Sequence, residues 1–178
     1  MITKIEHIVN YFKSGIKDTN KFKIGIEHEK FLFDKNTNKR TDYKTILKMF
    51  AALNEFGWKP IMERQNIIGL KKKGKSITLE PGNQIELSGD KLNNIHEGCS
   101  ESHDYLFELQ QVTKKLNLKI VSSGFDPISN LNDVPNNPKL RYELMTNDMP
   151  KGGSLSLDMM YRTCGTQLNL DYNSEDDF

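Results

Sequence analysis

Apolar residues at intervals of three and four open the chain. Ile5, Ile8, Val9 and Phe12 within residues 3–14 predict an amphipathic helix with Thr3 as its N-cap and Gly15 as its stop. Residues 22–34 switch to the density and alternation of a strand, ended by the turn NTNK. Helical spacing returns over 42–56 (Tyr43, Ile46, Leu47, Phe50, Leu53) and stops at Gly57. Short strands follow around WKPIMERQ, NIIGLKKKG and SITLE; Pro81-Gly82 breaks the last, and QIELS resumes it as a hairpin arm. A long helix from about Asp90 to Leu116 carries Leu92, Ile95, Cys99, Leu106, Leu109 and Leu116 on one stripe. LKIVSSGF reads as a strand, 126–138 as a loop rich in Pro and Asn, RYELMTNDMP as a helical turn before another loop, and TQLNLDY as an alternating strand. Strands and helices mix without the βαβ cadence of a parallel sheet. The predicted class is α+β, a mainly antiparallel sheet with helices packed on one side.

Carboxylates interrupt this pattern at two places. In IGIEHEKFLF, successive side chains alternate faces, so Glu27 and Glu29 share one face and His28 lies on the other with Ile26. Their Cα atoms are roughly 6.6 Å apart, within reach of one cation or two adjacent ones. SITLEPGNQIELSG repeats the device: Ile77, Leu79, Ile85 and Leu87 read as core, leaving Glu80 and Glu86 opposite. Four carboxylates on the open face of one sheet repel each other unless a cation stands among them. Oxygen-only ligands suit a hard ion such as Mg2+. A metal-dependent site is therefore favoured over a solvated acidic face.

Composition removes several alternatives. With 25 basic and 24 acidic residues, no global charge points to nucleic acid or a membrane surface. No apolar run approaches a membrane span, and MITKIEHIVNYF lacks the apolar core of a signal peptide. Cys99 and Cys164, the two cysteines, have no CxxC spacing, so the expected setting is reducing and cytoplasmic. A length of 178 residues suits one core, a single domain over 1–178. His96, Cys99 and His103 share a helix face at zinc-compatible spacing, but a fourth ligand is missing. Lys71, Lys72, Lys73 and Lys75 read as a hairpin tip in water, KGGS lacks the spacing of a phosphate loop, and Met159 and Met160 read as core. In RTCGTQLNLDY, Gln167, Asn169 and Asp171 alternate with leucines; Arg162 has the opposite parity, which a bulge at Gly165 would reconcile. An arginine beside amides can bind a carboxylate or phosphate; a surface strand with its polar residues outward explains the segment equally well.

Taken together, GIEHEKF, SITLEPGNQIELSG, the segment with His96, Cys99 and His103, GFDP, PKLRYELM and MPKGGSLSLDMMYRTCGTQLNLDYNSEDDF resemble one family, the glutamate–cysteine ligases of the plant and proteobacterial type. The resemblance covers nearly the whole chain from Gly25. It implies a fold like the catalytic domain of glutamine synthetase and a reaction in which ATP phosphorylates the γ-carboxylate of L-glutamate before the amine of L-cysteine attacks. The product is γ-glutamylcysteine, in the first step of glutathione biosynthesis. It also implies Mg2+ at Glu27, Glu29, Glu80 and Glu86, and substrate or nucleotide contacts from Arg162, Gln167 and Asn169, with Arg162 catalytic. The chain departs from the family at Gly152 and Ser156 within KGGSLSLD, and at Ile128-Ser129, where relatives carry Lys-Trp. Relatives are about twice as long, which implies an N-terminal portion of the catalytic domain, with an incomplete fold and little turnover alone. Two other readings stay open: a ligase of the same fold with another amine acceptor, and a non-catalytic metal- or nucleotide-binding module.

Overall fold

The computed structural model describes residues 2–178. Its organising element is β1 (Ile24–Asp34), eleven residues long. Around it run β2 (Lys59–Glu63), β3 (Asn66–Lys72), β4 (Lys75–Leu79), β5 (Ile85–Ser88), β6 (Leu118–Val121) and β7 (Thr166–Leu170). The strands form one antiparallel sheet in the order β2-β3-β4-β5-β1-β6, with β7 also on β1. Two partners divide one edge of β1 between them. Ile24–His28 pair with β7 and Phe31–Asp34 with β6. The class is α+β, as the mixed periodicities predict.

Among the described residues five α-helices complete the fold: α1 (Ile5–Lys13), α2 (Tyr43–Leu53), α3 (Ile95–Lys115), α4 (Leu140–Asp148) and α5 (Ser156–Arg162). None is long and apolar enough to cross a membrane. The apolar positions of β4 and β5 (Ile77, Leu79, Ile85, Leu87) meet Ile46, Met49, Phe50 and Leu53 of α2 and Tyr105, Leu109 and Val112 of α3, with Trp58 beside them. Each such side chain contributes about 1.5–3 kcal/mol relative to exposure. The Trp58 indole N–H donates to Glu108 at 2.6 Å, so its one polar atom is satisfied.

Several boundaries differ from the sequence pattern, each for a local reason. The third helix begins at Ile95, not near Asp90. Asn94 caps it by accepting from the N–H groups of His96 and Glu97, while Leu92 is bridged to Ile24 through both backbone groups. The first helix starts after Lys4 without a side-chain cap from Thr3, and none of its residues is buried. Strand β6 ends at Val121, where its pairing to β1 stops. Helix α5 replaces an expected loop. Its Met160 and Tyr161 bury against Tyr142 of α4 in a second, small apolar cluster, while Met159 is exposed.

Not all helices share one side. α2 and α3 cover the apolar face, whereas α4 meets the glutamate-bearing face: the Tyr142 hydroxyl donates to Glu80 at 2.7 Å. Between β4 and β5, Gly82 takes φ +70°, and a Cβ there would lie 2.5 Å from Val134. Only glycine fits that turn.

Candidate metal centre

Register brings the two acidic segments together. Glu29 of β1 stands directly opposite Glu86 of β5, Glu86 opposite Thr78 of β4, and Glu80 follows β4 immediately. Donor oxygens of Glu29, Glu80 and Glu86 lie within 4.8 Å of one another, the one such group of three metal-ligating side chains among the described residues. All three are half-buried. They line a cleft of about 430 Å³ with Glu27, Arg141, Gly165, Thr166 and Gln167.

Each carboxylate is aimed by a neighbour. Glu29 accepts from the Gly165 N–H at 2.6 Å, while its own N–H donates to the Gly165 carbonyl at 3.0 Å. Glu86 accepts from the Ser88 hydroxyl at 2.7 Å. Glu80 accepts from Tyr142 and, at 3.2 Å, from Thr78; Lys139 is 3.8 Å away. Glu27 stands at the edge of the group and accepts from Asn169 at 2.9 Å. Burial pushes the Glu29 carboxyl above its usual range, the Gly165 N–H opposes that, and Glu80 and Glu27 add to it. Burial likewise raises Glu86, Ser88 opposes, and the other three glutamates add.

Converging carboxylates, with Glu29 and Glu86 pushed above their usual range, form a cluster that a divalent cation would relieve. All-oxygen donors at this spacing fit a hard ion that retains several waters or substrate oxygens. Mg2+ therefore fits Glu29, Glu80 and Glu86, with Glu27 one step away.

Residues of the last segment separate. Gln167 lines the cleft and donates to Asn169, which reaches Glu27. Asp171 is held by Lys17 at 2.5 Å and by the Lys23 N–H at 2.9 Å, away from the cleft. Arg162 does not share a strand with Gln167. It ends α5, donates to Asp158 at 2.7 Å and stacks on the Phe125 ring at 4.4 Å, and it does not line the acidic cleft. The arginine that does is Arg141, which the sequence reading passed over. His96, Cys99 and His103 do not converge on a metal-sized group, and all three are exposed. His28 points to the helix side, its Nε2 3.0 Å from the Ser102 hydroxyl. Lys73 turns the β3–β4 hairpin, but Lys72 and Lys75 face Glu108 and Glu101 rather than open water.

A family model described as glutamate-cysteine ligase family 2 matches residues 23–176. Over 173 residues the chain is 46% identical to a protein named glutamate–cysteine ligase, chloroplastic, from Nicotiana tabacum. It is 44% identical to its namesake in Solanum lycopersicum and 43% to that in Arabidopsis thaliana. Each match takes in 97% of this chain and 33% of the relative. The chain thus spans about a third of the length of these curated relatives, a wider gap than the twofold one expected. The relatives are named chloroplastic, which overturns the expectation of a cytoplasmic setting drawn from the cysteines and the N-terminus.

Proposed function

The chain belongs to glutamate–cysteine ligase family 2, and from that premise we propose that it carries the metal- and nucleotide-binding part of an ATP-dependent ligase. The reaction joins the γ-carboxylate of L-glutamate to the amine of L-cysteine, giving γ-glutamylcysteine for glutathione synthesis. The observation that carries this reading is the convergence of Glu29, Glu80 and Glu86 within 4.8 Å on one sheet face. The antiparallel sheet, with its acidic face over a cleft, supports a catalytic fold like that of glutamine synthetase, of which residues 1–178 form a part.

Glu29, Glu80 and Glu86 would hold a divalent cation, which when bound would supply charge neutralisation on phosphoryl oxygens. The side chains of this chain do the remaining work. Gly165, Ser88, Thr78 and Tyr142 fix the carboxylate oxygens in place through the hydrogen bonds above. Gln167 and Asn169 present amides beside Glu27, where they can orient a polar substrate. Positioning of two substrates in line supplies most of the rate in such chemistry, so no protein nucleophile is required.

The test is phosphate release from ATP with glutamate and cysteine, with γ-glutamylcysteine identified by mass, using the polypeptide as its gene encodes it. Release that depends on both amino acids is expected. Release with another amine in place of cysteine would reassign the acceptor, and equal activity in Glu29→Gln would remove the cleft from the reaction.

A further inference from the structure

We propose that Gln84 is a positioning residue of the cleft: its buried amide ties the hairpin that carries Glu80 and Glu86 to Thr163, and thereby holds Gly165 where its N–H orients the Glu29 carboxylate toward a shared cation. The proposal rests on the reading of the acidic cleft as a divalent-cation site, and names what keeps the third carboxylate in place beside the other two.

Gln84 stands four residues after Glu80 and two before Glu86. It is 1% exposed, a setting a glutamine takes only when its amide is paired. Both ends are. Its Oε1 accepts from the Arg40 guanidinium at 3.1 Å, and its Nε2 donates to the Thr163 carbonyl at 2.7 Å. A guanidinium only donates and a carbonyl only accepts, so the amide fits in one orientation. The backbone is committed as well: the Glu80 N–H donates to the Gln84 carbonyl at 2.8 Å and closes the turn between the two carboxylates.

Thr163 lies two residues before Gly165, whose N–H binds the Glu29 carboxylate at 2.6 Å. Among the described residues, Gln84 to Thr163 is the one direct hydrogen bond between residues 80–88 and residues 163–165. Other bonds on this segment lead elsewhere. The Cys164 N–H donates to the Gly124 carbonyl at 3.2 Å, and the Asp126 N–H donates to the Arg162 carbonyl at 2.8 Å. These fix the segment to the loop before it, not to the hairpin. Sheet register sets Glu29 opposite Glu86, but it leaves the Glu29 side chain its rotamers. The Gly165 N–H selects among them. A path of four groups therefore runs from the hairpin to the third carboxylate: the Gln84 amide, the Thr163 carbonyl, the Gly165 N–H and the Glu29 oxygen. Mg2+ demands near-ideal geometry at about 2.0–2.1 Å, so a carboxylate that turns away is lost as a ligand.

Two measurements on the full chain test this: Mn2+ affinity by calorimetry, and hydrogen exchange of the Gly165 amide in the metal-free protein. Gln84→Met removes both amide bonds at similar volume. Trp58→Phe serves as a destabilised control, because Trp58 packs with the apolar cluster on the other side of the sheet. For Gln84→Met the expected result is Mn2+ affinity lower by roughly 10- to 100-fold, the range for a group that orients a metal ligand. Gly165 exchange should be faster by about tenfold, the worth of one hydrogen bond. Trp58→Phe should melt earlier with both readouts unchanged. Gln84→Glu keeps the acceptor for Arg40 but cannot donate to Thr163 when ionised, so at neutral pH it too should speed Gly165 exchange, even if Gln84→Met does not fold. Wild-type Mn2+ affinity in Gln84→Met, or wild-type Gly165 exchange in Gln84→Glu, would overturn the proposal while leaving the cation reading intact. So would an equal loss of Mn2+ affinity in Trp58→Phe, which would tie affinity to overall stability. Absence of Mn2+ binding in the wild type would instead overturn the cation reading, and this proposal with it.

Discussion

Asp126→Asn should unfold the chain far more readily than any surface substitution. Asp126 and Arg40 form an ion pair at 2.9 Å with both side chains at 0% exposure. Arg40 also donates to the Gly82 carbonyl at 2.5 Å and to Gln84 at 3.1 Å, and its guanidinium sits 4.6 Å over the Phe31 ring. The Asp126 Oδ1 accepts from the N–H groups of Ile128 and Ser129, both at 2.9 Å. An asparagine keeps an acceptor for those two groups but turns the oxygen facing Arg40 into an NH2 donor, removing both the charge and the acceptor of that pair. Arg40 is then left buried without its counterion, which costs about 3–5 kcal/mol, a large part of the 5–15 kcal/mol typical of a domain. At a urea slope of about 1–3 kcal/mol/M, the midpoint falls by about 1–5 M. Burial pushes the Asp126 carboxyl up, but the Ser129 and Ile128 N–H groups and Arg40 together hold it below its usual range. A depressed folded pKa stabilises fully above the unfolded value near pH 4 and is lost as pH falls through the folded one. The gap between wild type and Asp126→Asn should therefore be constant from about pH 5 to neutrality and narrow in acid. Urea melts across this range check it. A loss below about 1 kcal/mol at pH 7, or a gap that widens in acid, would refute the reasoning.

Glu86→Gln should have opposite effects with and without metal: Mn2+ affinity falls, read by calorimetry, while the metal-free protein becomes more stable at neutral pH, read by thermal melts in EDTA. The sign follows from the raised Glu86 pKa: a carboxyl with a raised folded pKa favours folding below its unfolded value, near 4.3, and loses that advantage as pH rises through the folded one. A destabilised metal-free Glu86→Gln at pH 7.5 would count against electrostatic crowding in the cleft. Iodoacetamide at pH 8 should label exposed Cys99 and spare Cys164, whose thiol is pushed up to about 12 by burial and by Glu29. Equal labelling by peptide mass mapping would contradict that environment.

The acidic face was legible because period-two alternation fixes facing along each strand: glutamates set among Ile, Leu and Phe fall on the side away from the core. The hairpin around Pro81-Gly82 was legible for the same reason. What escaped depends on contacts between distant segments. Arg141 sits in a short helix with no periodic signal, and long-range anchors, among them Lys139 and Tyr142 on the end of β4 and the Leu140 N–H on Glu63, bring it to the cleft. Arg40 reads as a loop residue, yet the fold closes over it completely. Two signals were present in the sequence. Asn94 followed three residues later by Glu97 marks the true start of α3. Asp158 four residues before Arg162 marks a helical ion pair rather than a strand with a bulge.

The shared edge of β1 bears on synthesis as well as on the finished fold. Glu27 finds its amide partner Asn169 142 positions later, and Glu29 waits for Gly165 across 136. At about 5–20 residues per second, a nascent β1 holds half of that edge unpaired for on the order of ten seconds. During that interval the Glu29 N–H and the rest of that edge stay open, a template for neighbouring chains. The charges at Glu27 and Glu29 lie on the same waiting stretch and repel a second copy of it. Charge repulsion at Glu27 and Glu29 thus disfavours pairing between nascent copies before the cleft itself has formed.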